Sequence, residues 1–163
     1  MKDYVKRLIA DYPKMVKRRE ELKKQLHCRT VITPEDMIET MYFSHSVGER
    51  VQSSHLSDKT SEIAIEYEEK MRKANEQIYW SVYHEYECLN EKITFLELCI
   101  EELSDLEREV MEALVLENRT WDDIEYDLNI NRREIAFRRK KALSSIVRRY
   151  QQRASEIEAE ILA

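Results

Sequence analysis

Apolar side chains recur along this chain at the spacing of one helix face. In the first segment they fall at Val5, Leu8, Tyr12, Met15, Leu22 and Leu26, alternating steps of three and four, with Arg19 in one slot. Pro13 suits a helix start or a kink better than a helix middle, so the pattern predicts a short turn and then a helix over 13–27. Thr33, Pro34, Glu35 and Asp36 read as a cap, a first helical residue and an acidic first turn, which predicts a short helix over 34–43. Five serines and Gly48 make 44–57 a connection. From 58 to 103 there is no Gly or Pro. Ala64, Tyr67, Met71, Ala74 and Ile78 keep the heptad, which resumes at Val82, Tyr86, Leu89, Ile93, Leu96, Ile100 and Leu103. Consecutive steps of four around Val82 form a stutter, which unwinds a supercoil locally. One helix over this stretch would run roughly 69 Å. It cannot bury its stripe alone and needs the N-terminal helix, a second copy of the chain, or both.

The last third carries three helix starts. Ser104-Asp105-Leu106-Glu107 has the form of a capping box, and Thr120-Trp121-Asp122-Asp123 and Asn131-Arg132-Arg133-Glu134 repeat it. They predict helices over 105–117, 121–128 and from 132 onward. Asn129 suits the left-handed conformation that ends a helix. A short helix, a tight turn and a longer helix make a helix-turn-helix. Its inward residues would be Leu106, Val110, Leu114, Trp121, Ile124, Leu128, Ile130, Ile135, Ala142 and Leu143.

Composition supports an all-α fold. One Gly and two Pro among 163 residues are too few turn residues for a sandwich, barrel or doubly wound fold, and leave no glycine-rich phosphate loop. No apolar run nears the ~18 residues that span a bilayer, so no membrane is expected. Cys28, Cys88 and Cys99 form no spaced framework, which points to a reduced, cytoplasmic protein. His27-Cys28 and the pair His84 and Cys88 match no recognised zinc spacing. Acids at 66, 68, 69, 101 and 102 follow helix-surface positions, so no acid/base pair, enzyme activity, metal or cofactor is expected. Tyr79, Trp80, Tyr83 and Tyr86 read as an interface or core patch.

Charge sharpens the picture. The net charge is −6, yet residues 57–130 carry seven Lys/Arg against twenty-one Asp/Glu, while 131–153 carry nine against one. Residues 1–29 are basic too, with ten against four. A local field of this kind attracts phosphate even on an acidic protein. The cationic helix could instead be solvated, or bind the acidic middle of the chain.

Leu106 to Val110, Arg119 to Ile124, Leu128 to Asn131 and Lys140 to Leu143 resemble region 4 of sigma-70-type RNA polymerase factors. The likeness covers about 103–150. The whole layout is similar to small phage-type ArpU-like regulators, which place a helical, often coiled-coil part before such a motif. The resemblance implies a long coiled-coil-like region over 1–103 for oligomerisation or partner binding, a helix-turn-helix DNA-binding domain over 104–153 and an acidic helical tail over 154–163. It implies a transcription regulator that binds double-stranded DNA and contacts RNA polymerase; a homodimer through the long helix is expected. Nothing in 1–103 resembles sigma region 2, so a complete sigma factor is not expected. Two alternatives stand beside it: a phage DNA-packaging (small terminase-like) recognition subunit, and an interaction module for RNA polymerase.

Asn131, Arg132 and Arg133 occupy the start of the recognition helix in this reading, where arginine pairs with guanine edges. Ala136 and Phe137 stand where the family often has polar base-readers; Phe137 either packs or touches a thymine methyl. Arg138, Arg139, Lys140, Lys141, Arg148 and Arg149 are expected at phosphates. Thr120 and Trp121 open the supporting helix, where an N–H or hydroxyl holds a phosphate, or Trp121 anchors the core.

Overall fold

The computed structural model describes residues 1–28, 33 and 57–162. The helix expected over 34–43 and the connection up to residue 56, with His45 and His55, lie outside them. The described chain is all-α: α1 (Lys2–Cys28), α2 (Ser57–Glu101), α3 (Asp105–Met111) continued by a π-helical turn (Glu112–Leu116), α4 (Trp121–Leu128) and α5 (Arg132–Leu162). Among the described residues no helix is long and apolar enough to cross a membrane.

Met1–Glu20 and Glu87–Ala163 form one compact unit, and Glu21–Tyr86 a second. The first unit has two apolar cores. The larger joins Val5, Leu8 and Tyr12 of α1 to Ile93, Leu96, Cys99 and Ile100 of α2, with Leu103, Met111 and Val115, and Ala142 and Ile146 of α5. It therefore draws on residues from both sides of position 103. Tyr12 donates a 2.6 Å hydrogen bond from its hydroxyl to Glu97, and Arg19 reaches Asn90 at 3.5 Å, so α1 and α2 are joined by polar contacts as well. The smaller core packs Val110, Ala113, Ile124 and Ile135, with Leu114, Trp121, Leu128 and Ile130 around them. Leu114 touches both cores, so α3 and its π turn couple the two. In the second unit Leu22 is fully buried, while Tyr79, Trp80 and Tyr83 form an exposed aromatic cluster with ring centroids 5.5–6.2 Å apart.

Two local expectations are corrected. α1 begins at Lys2 and runs through Pro13. An internal proline costs about 3 kcal/mol. Pro13 is exposed, however, and apolar residues on both sides of it (Val5, Leu8 and Tyr12 before, Met15 and Val16 after) pack on the larger core, which offsets that cost. At Ser104 the capping box does not form, and the serine makes no side-chain cap. Glu107, its intended partner, is buried and meets Lys141 Nζ at 2.7 Å, since a buried carboxylate requires a counter-charge.

The three thiols differ in setting. Cys28 is exposed, whereas Cys99 is buried and its thiol is pushed up to about 11, chiefly by burial and secondarily by Glu102. The thiolate is the nucleophile, so at pH 8 Cys99 holds little of it. Timed alkylation of the native protein, followed by mass spectrometry, will label Cys28 first and Cys99 only after unfolding.

Candidate nucleic-acid interface

The segment from 117 to 139 is built by local capping chemistry. Asn118 takes a left-handed conformation (φ 52°), which lets the Arg119 N–H reach the Ala113 carbonyl at 2.8 Å and closes the π turn. Thr120 then caps α4. Its Oγ1 accepts from the Asp123 N–H at 3.3 Å, and Asp123 returns to the Thr120 N–H at 3.0 Å and to its hydroxyl at 2.6 Å. Those bonds, the hydroxyl's foremost, hold the Asp123 carboxyl below its usual range. A depressed carboxylate contributes stability that is complete above its unfolded pKa of about 4 and lost as pH falls through the lower folded value. Thr120→Ala should cost about 1 kcal/mol in denaturant unfolding and flatten the acid limb of the stability profile.

Asn129 ends α4 in the left-handed region (φ 51°, ψ 41°), as its residue type predicts. Asn131 caps α5, its Oδ1 accepting from the Glu134 N–H at 2.9 Å. The Glu134 carboxylate does not return to the cap; it takes Arg138 Nε at 2.6 Å. Only half of the expected third capping box is present.

The basic residues of α5 then separate into two sets. Arg132 is paired to Asp122 and, at 3.4 Å, to Glu125, both on α4, and the Asp122 hydrogen bond raises its pKa most. Arg138 is held by Glu134 and lies 5.8 Å from the Phe137 ring. Lys141 meets Glu107, and Arg149 donates from Nε to Glu102 at 2.5 Å. Arg133, Arg139, Lys140 and Arg148 are exposed and make no ion pair with any described residue. Arg133 and Lys140 are seven residues apart and share one helix face, about 10.5 Å apart along the axis.

The remaining expected residues fall as follows. Trp121 is half-buried against the smaller core. Thr120 is exposed but occupied by its cap. Ala136 is exposed, and Phe137, at 57% exposure, belongs to neither core. The expected inward residues of the last third are all buried or half-buried. Lys2 and Lys6 of α1 were absent from the expected set, yet they line a groove of about 410 Å³ with Arg139 and Lys140. Their only signal in the sequence is the basic excess of 1–29. Among the described residues, no group of three His, Cys, Asp or Glu side chains is placed to hold a metal ion. The exposed arrangement thus offers cations for an anionic polymer.

No protein-family model, curated protein or solved structure matches the chain.

Proposed function

We propose that this protein is a double-stranded DNA-binding transcription regulator whose α4 and α5 act as a helix-turn-helix of the sigma-70 region 4 type. The observation that carries the reading is the unpaired cation set Arg133, Arg139, Lys140 and Arg148, on a helix anchored by its own small core. An α-helix fits the major groove, and residues near its N-terminus face base edges. Arg133 is the base-edge residue in this account, and Arg139, Lys140 and Arg148 contact phosphates. Arg132 joins them by exchanging Asp122 and Glu125 for the duplex. Exposed pairs of this kind are weak and screened by salt, so the exchange is inexpensive.

The protein acts as a homodimer through α2. Supporting this are the heptad spacing over 64–78 and the exposed cluster of Tyr79, Trp80 and Tyr83. RNA polymerase is the second partner, on the strength of the region-4 resemblance alone. Fluorescence anisotropy with a labelled duplex tests the DNA reading: binding at low salt that weakens steeply as salt rises supports it, and no binding at low salt rejects it. Sedimentation tests the assembly, where a dimer is expected and a large ring would favour a packaging subunit.

A further inference from the structure

We propose that the groove between α1 and α5 seats the sugar-phosphate backbone of bound duplex DNA, with Lys2 and Lys6 of the N-terminal helix as phosphate contacts. The inference rests on the DNA-binding reading and extends its surface to a second helix. Lys2 and Lys6 are one turn apart on α1 and form one wall; Arg139 and Lys140 stand on the α5 wall, with Ser144 on the next turn and Trp121 beside them. The two walls are held in place because Val5, Leu8 and Ile9 of α1 pack on the same core as Ala142, Leu143 and Ile146 of α5.

Charge selects the occupant. The chain has 33 Asp/Glu against 27 Lys/Arg, yet four cations and no carboxylate line this groove. A neighbouring groove on α5, lined by Arg148 and Arg149, also contains the carboxylates Glu102 and Glu107, so its lining is not purely cationic. Of the groove's cations, Lys6 is paired with Asp3, 3.8 Å from its Nζ, and the Asp3 side chain is 90% exposed. A loose pair of that kind yields readily to a phosphate. Because Lys140 lines the groove and lies on the helix face of Arg133, one duplex can engage both. Phosphate contacts set register without reading sequence. The groove therefore fixes how α5 lies on DNA, and the base edges are left to its N-terminal end.

The test compares full-length K2Q/K6Q with K14Q/K17Q, an equal charge change on α1 at residues that do not line the groove. Both are titrated with one labelled duplex at several salt concentrations. We expect K2Q/K6Q to bind about tenfold more weakly at low salt, with a salt slope shallower by about two, and K14Q/K17Q to stay within about twofold of the unmodified protein. Equal losses in the two variants, or no loss in K2Q/K6Q while the unmodified protein binds, would overturn the groove assignment and leave the DNA reading standing. If the unmodified protein binds no duplex, the DNA reading fails and the groove assignment falls with it. All four side-chain changes, at exposed sites, leave the cores intact, which circular dichroism on each variant checks.

Discussion

Replacing Arg133, Arg139 and Lys140 together by alanine should lower duplex affinity about a hundredfold at low salt, with little change in thermal stability. The magnitude follows from about 1 kcal/mol for each lost contact and 1.4 kcal/mol for each factor of ten. None of the three side chains has an ion-pair partner among the described residues, so their removal leaves no buried group without a counter-charge. The same change in Arg138 and Lys141 is a different experiment. Lys141 neutralises the buried Glu107, so its loss acts on folding as well as on binding. Separating the triple variant from Lys141→Ala therefore separates a surface role from a structural one. The triple variant should also lose about two from the salt slope, one for each of its two phosphate contacts. A variant that binds as tightly as the unmodified protein would move the interface away from this face of α5.

Ile100→Ala is expected to produce the largest loss of stability, about 3 kcal/mol. Ile100 is completely buried where α1, α2 and α5 meet, beside Val5, Leu96 and Ile146. Alanine removes the apolar contacts and leaves a cavity among helices that packing holds apart. At about 2–4 °C per kcal/mol for a chain of this size, the melting temperature should fall about 6–12 °C. Ile157→Ala, at a position 45% exposed on the last turns of α5, should stay within about 0.5 kcal/mol. The cavity variant has a functional consequence too. It loosens the seat of α1, so at temperatures near its transition the contribution of Lys2 and Lys6 to duplex binding should fade before that of Arg133. Differential scanning calorimetry checks the first effect, and salt titrations at two temperatures check the second.

The elements legible in the sequence are those fixed by short-range chemistry. Thr120 with Asp123, Asn129 and Asn131 mark α4 and the start of α5 because a cap or a left-handed residue involves neighbours within three or four positions. The apolar spacing likewise places Val110, Ile124, Ile135 and Ala142 inside, since one stripe of a helix must face the core. Pro13 and Ser104 depart from their local sequence signals for the opposite reason. At Pro13, burial on both sides outweighs a local penalty, and at Ser104 the long-range Lys141 claims the glutamate of the box. The pairing of Arg132 across to α4 depends on how two helices cross, which no spacing along one helix specifies. The approach of Lys2 and Lys6 to Arg139 spans most of the chain and is set only by the packing of α1 on α5. Charge runs in the sequence thus located a basic helix; the structure divides its cations into those held by carboxylates and those free for a ligand.

The most direct measurement is the affinity of the full chain for a labelled duplex between 50 and 200 mM salt. With Arg139, Lys140 and Arg148 of α5 and Lys2 and Lys6 of α1 on phosphates, log K should fall linearly with log salt at a slope of about −4 to −5. Binding that is absent at 50 mM salt, or unchanged across the range, would contradict a protein that works through these side chains on DNA.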